Sequence, residues 1–218
     1  MLTLHTYFRS SAAFRVRIAL NLKGLHWQPA LVWLPTREQA GDAYRQTNPQ
    51  GLVPALVDDS RVIAQSLAII EYLDETRPDK PLLPSDPLAR ARARSLAMLV
   101  ACDIHPLNNL RVLNYLKSEL DQPKAAVDAW YRHWCDEGLS AYERELSRLP
   151  EQAYSVGDAP GLADLCLVPQ IFNARRFEVD MARYPRLMAI HDRCMALEAF
   201  ASAAPQAQPE ATDPRLTG

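Results

Sequence analysis

Along the first eighty residues the spacing of apolar positions changes more than once. Residues 2–7, LTLHTY, alternate in side-chain character, the period of a strand with one buried face. Residues 11–23, SAAFRVRIALNLK, carry Phe14, Ile18 and Leu22 at helical spacing with Val16 and Leu20 beside them, and Gly24 follows as a helix stop. HWQPALVW at 26–33 reads as a second strand, so the chain opens β-α-β, and a parallel pair with a right-handed crossover is expected. A short helical segment near 38–46 leads into GLVPALVDDSRVIAQS at 51–66. There two short apolar strands, 53–57 and 61–64, flank an Asp-Asp-Ser turn, as in an antiparallel hairpin. SLAIIEYLDETRP at 66–78 reads as a helix with Ser66 as its N-cap and Ile69, Ile70 and Leu73 on one face.

RPDKPLLPSDP at 77–87 holds four prolines and little periodicity, the mark of a linker. Beyond Leu88 strand signals nearly vanish, and residues 88–120, 124–148, 162–177 and 184–200 all read as helices. APQAQPEATDPRLTG at 204–218 is polar and rich in proline, and is expected to be disordered. The fold class implied is α/β followed by all-α. A thioredoxin-like domain (βαβ-α-ββα) spans 1–78, a linker 79–87, and an all-helical bundle 88–203.

Composition narrows the partners. A formal net charge of -2 leaves no basic excess to neutralise phosphates, which argues against nucleic acid. No apolar run approaches the roughly 20 residues of a membrane span, and MLTLHTYFRS lacks the basic and apolar regions of a signal peptide, so a cytoplasmic protein is expected. None of Cys102, Cys135, Cys166 and Cys194 forms a C-x-x-C pair or joins a His-rich cluster, so four free thiols and no metal site are expected. The chain contains no G-x-G-x-x-G and no G-x-x-x-x-G-K.

Three places combine structure with chemistry. A proline in a short strand, as at Val53-Pro54, belongs at an edge or a strand start. In thioredoxin-like folds it follows a cis peptide bond, with the preceding N–H and C=O open to a peptide ligand. At Gln65-Ser66 a serine at a helix start can simply cap it. The same helix N-terminus attracts carboxylate, and Gln65 adds a donor, which together suit an α-amino-acid end such as a γ-glutamyl group. At the first helix mouth a redox module would place C-x-x-C, and here the residues are Ser10-Ser11-Ala12-Ala13. Disulfide exchange is excluded there. A hydroxyl can instead donate to a thiolate brought in by a ligand, and with the helix N-terminus it lowers the pKa of that thiol. A drop of about two pH units from roughly 8.5 ionises most of the pool at neutral pH. Two serines allow one to cap and one to act.

With these residues in place the chain resembles the zeta class of the glutathione S-transferases, which includes glutathione-dependent maleylacetoacetate and maleylpyruvate isomerases. The resemblance covers residues 3 to about 205. It rests on YFRSSAAFRVRIALNLKG (7–24), NPQGLVPAL (48–56), QSLAIIEYLDE (65–75), CDIHPLNNLRVL (102–113) and ADLCLVPQIFNARRF (163–177). It implies glutathione as cofactor, with Ser10 the first choice at its sulfur and Ser11 beside it. Gln50 and Val53 would hold its backbone, Gln65 and Ser66 its γ-glutamyl end, and Asp103 and His105 would reach it from the second domain. His105 also reads as a helix residue beside a Pro106 kink. Two departures stand out. Ala12 replaces the usual cysteine, so no protein thiol is available there. Gly161 in GLAD replaces a capping Ser or Thr, a loss of about 1 kcal/mol of local helix stability.

The resemblance also implies a mechanism. Glutathione thiolate adds to the alkene of a maleyl diacid, the new single bond rotates, and the thiolate leaves. Cations at the developing enolate and at the acid groups assist. Arg9, Arg176 and Arg111 are the candidates for gripping the dicarboxylate, with Arg175 in reserve, although Arg175-Arg176 also reads as a solvated helix face. Conjugation or dehalogenation of small electrophiles, and non-catalytic glutathione binding, are the competing readings. Enzymes of this class are commonly homodimers, which is carried over as an expectation. Maleylpyruvate and maleylacetoacetate both stay open as substrate, with CDIHPLNNLRVL and ARRF closest to the bacterial maleylpyruvate enzymes.

Overall fold

The first strand, β1 (Leu2–Thr6), buries Leu2, Leu4 and Thr6 and leaves Thr3 and His5 half-buried, the alternation of a strand with one dry face. In this computed structural model, which describes residues 1–213, β1 is an inner strand of a four-stranded sheet ordered β2-β1-β3-β4. The parallel neighbour β2 (Trp27–Leu31) pairs Leu2 with Trp27, and the antiparallel neighbour β3 (Ala55–Asp58) pairs Leu4 with Leu56. β4 (Arg61–Ala64) completes an antiparallel hairpin with β3.

Helix α1 (Ser11–Leu22) joins β1 to β2 and ends in a Schellman motif. Leu25 N–H reaches Leu20 O at 2.9 Å and Gly24 N–H reaches Asn21 O at 3.0 Å, with Gly24 at φ 65°. Short turns and α2 (Asp42–Arg45) precede β3, and α3 (Ser66–Thr76) follows β4. The thioredoxin-like order expected from the sequence is thus present.

The helical part contains α4 (Pro87–Met98), α5 (Leu110–Ser118), α6 (Lys124–Ser147), α7 (Leu162–Arg176) and α8 (Pro185–Met195), and a short α9 (Glu198–Ala201) comes after it. The single helix expected over 88–120 is broken. After α4 the chain widens into a π-helical turn, Leu99–Ile104, and Pro106 ends it. Asn109 then restarts a helix, its Oδ1 accepting from Arg111 N–H at 3.1 Å. The π-turn packs on α6 at Gly138, where a Cβ would lie 2.2 Å from the Ile104 side chain. The helix expected over 184–200 breaks at the extended Leu197, which no Gly or Pro announces. At Gly161 the N-cap has no side chain, yet half of the capping arrangement survives. The buried Asp164 carboxylate accepts from Gly161 N–H and Ser155 N–H, both at 2.9 Å.

Two units account for the chain. Among the described residues, one joins Met1–Leu82 with residues 195–213, and the other is Leu83–Cys194. The expected division placed 195–203 with the helices and left 204–218 disordered. Instead, residues after α9 form 3-10 turns at Pro205–Ala207 and Pro209–Thr212. They stay with the first unit, where Arg17 of α1 holds the Ala203 carbonyl just before them and Ala211 packs against Tyr7, Phe8 and Trp33. Residues 214–218 of that tail lie outside the described residues. Among the described residues no three His, Cys, Asp or Glu side chains gather as a metal site requires, and no helix is long and apolar enough to cross a membrane.

Candidate active site

The loop from β1 into α1 is fixed by aromatic packing. Tyr7, Phe8 and Trp33 form a buried cluster, with Tyr7 4.9 Å from Phe8 and 5.5 Å from Trp33 between ring centroids, and Val53 packs against it. Arg9 is exposed and lies over the Phe8 ring at 5.0 Å. Ser10 has extended backbone, and its Oγ accepts from Ala13 N–H at 3.2 Å. Ser10 is therefore the cap, and Ser11 is the first helical residue, 5% exposed. A hydroxyl has two lone pairs and one proton. Capping uses a lone pair, so the Ser10 proton is left to donate at the positive end of α1. One residue can both cap and act.

At α3 the expected roles are exchanged. Gln65, not Ser66, occupies the N-cap position and makes no side-chain cap bond. Its backbone sits at φ 71°, ψ 117°, a region that costs roughly 1–3 kcal/mol for a non-glycine residue and clusters at ligand sites. Its amide Nε2 donates to Gln50 Oε1 at 2.8 Å. Ser66, 6% exposed, is the first helical residue, and its Oγ accepts from Arg15 Nη1 at 3.2 Å. Arg15 is 2% exposed, and its Nε and Nη2 have no hydrogen-bond partner. A buried guanidinium with open donors beside a helix N-terminus suits an anion. Sequence reasoning missed Arg15. The available signal was the pair Arg15 and Arg17 set in the otherwise apolar run AAFRVRIAL.

The segment between the two helices is built to present backbone. Buried Asn48 donates from Nδ2 to Leu52 O at 2.7 Å and accepts from Gln50 N–H at 3.2 Å. Tyr44 OH also donates to Leu52 O, at 2.7 Å, and burial pushes that phenol up to about 12. Gly51 has φ 63°, and a Cβ there would lie 2.7 Å from Gln39 O, so only glycine fits. The Gln39 Oε1 atom is buried and unpaired. The Val53–Pro54 peptide is cis. Asn48, Tyr44 and Gln39 were not singled out from the sequence, because each acts through the loop it shapes.

One unit therefore holds Arg9, Ser10 and Ser11 at one helix mouth, with Val53 against the aromatic cluster beneath it, and Gln50, Gln65 and Ser66 at the other, with Arg15 tying α1 to Ser66. The remaining candidates belong to the helical unit. Asp103 is exposed on the π-turn and His105 is half-buried just before Pro106. Arg111, in the first turn of α5, and Arg176, at the end of α7, are both exposed. The Arg176 guanidinium lies 6.0 Å from the ring of Phe177, which stacks on Tyr131. Arg175 faces Met188 Sδ at 3.9 Å. Cys135 accepts from Gln170 Nε2 at 3.2 Å and Asn108 Nδ2 at 3.4 Å, and burial pushes its thiol up to about 12, which leaves it unreactive.

Models of the glutathione S-transferase N-terminal domain and C-terminal domain match residues 9–76 and 108–198. A maleylpyruvate isomerase of a Ralstonia species is 47% identical over 208 residues, covering 95% of this chain and 98% of that protein. The holo structure of a bacterial maleylpyruvate isomerase, described as a zeta-class glutathione S-transferase, superposes with a TM-score of 0.94 at 47% identity, covering 95% of this chain and 99% of that one. A maleylacetoacetate isomerase from Methylobacterium extorquens AM1, solved with bound malonate and glutathione, superposes with a TM-score of 0.93 at 42% identity, covering 95% and 98%.

Proposed function

From the premise that the chain belongs to the glutathione S-transferase family, in its zeta class, we propose the following reading of its site. The protein is a glutathione-dependent cis-trans isomerase that converts a maleyl diacid, maleylpyruvate or maleylacetoacetate, to its fumaryl form. Glutathione suits the residues present: a carboxylate suits the α3 start with the open donors of Arg15, and a thiol suits the mouth of α1. Bound glutathione supplies the sulfur nucleophile that makes rotation about the double bond possible. The chain does the rest.

Ser10 donates a hydrogen bond to the sulfur, keeping its proton on oxygen, and with the end of α1 holds the sulfur ionised. Ser11 supports that end of the helix. Gln50 and the Val53 backbone hold the peptide, and Gln65 and Ser66 hold its γ-glutamyl end. Arg9 grips a substrate carboxylate and opposes the negative charge that builds on the neighbouring carbonyl. Arg176 and Arg111 are the proposed carboxylate ligands of the helical unit, and Asp103 and His105 its proposed glutathione contacts. The protein works in the cytoplasm as a homodimer, the state common in its class.

The observation that carries this reading is the Ser10 hydroxyl, which caps α1 through a lone pair and keeps its proton to donate. The test is a spectrophotometric isomerase assay on both maleyl substrates, with and without glutathione. Turnover that vanishes without glutathione supports the reading and names the substrate. No turnover on either, with glutathione bound normally, refutes it. Light scattering reports the dimer.

A further inference from the structure

Arg17 is 1% exposed, and its guanidinium bonds in opposite directions along the chain. Nε donates to Ala203 O at 2.9 Å, on the segment after α9. Nη1 donates to Thr6 Oγ1 at 3.2 Å and to Tyr7 O at 3.4 Å, and Nη2 to Phe8 O at 3.0 Å. The Tyr7 and Phe8 carbonyls immediately precede Arg9 and Ser10, and Tyr7 O also accepts from Ser10 N–H at 2.9 Å. One planar fork thus fixes the loop that aims the Ser10 hydroxyl, and the C-terminal segment fixes the fork.

Two further contacts hold that segment against the same structure. Asn21, one turn along α1 from Arg17, donates from Nδ2 to Ala199 O and Ser202 Oγ, both at 3.1 Å. Ala211 packs against the Tyr7–Phe8–Trp33 cluster, so the segment bears on the loop from its apolar side as well. Nothing in the proposed chemistry uses any of these residues directly.

We infer that residues 198–212 are a brace of the thiol-activating loop and that Arg17 is the positioning residue through which the brace acts. This rests on the glutathione reading. The brace sets where the Ser10 oxygen sits relative to a bound sulfur. It bears little on how the peptide part of the ligand is held, because Gln50, Gln65 and Ser66 lie at the other helix mouth, although Val53 packs on the braced cluster. Loosening it should therefore weaken thiolate stabilisation while leaving peptide affinity alone.

Two variants test this. Arg17→Lys keeps the charge but replaces the fork with one nitrogen, and Ala211→Asp lifts the far end of the brace with no substitution in α1 or the loop. Three quantities are read: the pKa of enzyme-bound glutathione from its ultraviolet thiolate absorbance, kcat, and the affinity for S-methylglutathione, which has no ionisable thiol. In Arg17→Lys the bound thiol pKa should rise by about one pH unit toward that of the free peptide. Its kcat near neutral pH should fall roughly tenfold to a hundredfold, as misplacement of a catalytic group by about 1 Å produces. Affinity for S-methylglutathione should stay within about threefold of wild type. Ala211→Asp should move the same quantities in the same direction by less, and it carries the test if Arg17→Lys does not fold. A lower melting temperature with unchanged bound thiol pKa and kcat would overturn the inference and leave Arg17 a purely structural residue. Wild-type protein that binds no glutathione would instead overturn the reading beneath it.

Discussion

Arg15 on α1 and Ser66 at the start of α3 meet through a 3.2 Å hydrogen bond in which the guanidinium Nη1 donates to the hydroxyl oxygen. That bond occupies a lone pair of Ser66 and leaves its proton free to donate to an anion at the α3 N-terminus. The unpaired Nε and Nη2 of Arg15 add positive charge behind it.

Arg15→Met should therefore weaken glutathione binding by about tenfold, the scale of one lost charge-assisted hydrogen bond. Calorimetry with glutathione and with γ-aminobutyryl-Cys-Gly, which lacks the α-carboxylate, separates the causes. The variant should bind the second peptide as wild type does. Equal losses for both peptides would show a general loss of folding.

Ser10→Ala removes the donor to sulfur. Without it the ionised thiol is less favoured, so its pKa rises and the ascending limb of the pH–rate profile moves to higher pH. Activity near pH 7 should fall at least about tenfold, with partial recovery above pH 8.5 or so. The lost cap should cost about 1 kcal/mol of stability, measured by denaturant melts. A profile that drops uniformly at every pH would contradict the thiolate role.

Arg9→Met and Arg176→Met should each raise KM for the maleyl diacid, by about tenfold or more for a carboxylate grip, while leaving glutathione affinity unchanged. A replacement that changes neither KM nor kcat removes that arginine from the site.

Asp58 accepts from Arg77 Nη2 at 2.6 Å and from Tyr72 OH at 2.8 Å, tying β3 to α3. The Arg77 hydrogen bond, foremost, holds its carboxyl below the usual carboxylate range. A depressed folded pKa contributes stability that is present above the unfolded value and lost as pH falls through the folded one. Asp58→Asn should be less stable than wild type by about 1 kcal/mol at pH 7. The gap should close as pH falls below about 4, the unfolded value. Urea melts at pH 7 and pH 3 read it, and a gap of the same size at both would rule out the ionised carboxylate as its source.

The sequence carried much of this site because its chemistry lies in short contiguous stretches. Ser10-Ser11, the Val53-Pro54 step and Gln65-Ser66 each advertise a helix mouth or a strand end without help from distant residues. At Ser66 the pair was legible but the cap was not, since Arg15, 51 positions away, claims the hydroxyl. Arg15 and Arg17 stand out in the sequence only as two charges in an apolar run. They become interior because α3 and the C-terminal segment cover α1, and no local period records that. The tail read as disordered for the same reason. Its few apolar atoms matter only against a cluster formed by Tyr7, Phe8 and Trp33. Inside the helical unit, Pro106 and Asn109 were visible, but a helical period long enough to span them hid the break.

The bond from Arg17 to Ala203 bridges 186 positions of chain. A ribosome adding about 5–20 residues per second needs roughly 10–40 seconds to cover that distance. Throughout that interval the newborn sheet and α1 exist without the carbonyl that Arg17 needs, and its guanidinium must stay hydrated. The serine mouth therefore takes its final shape only after Ala203, far downstream of it, has been made.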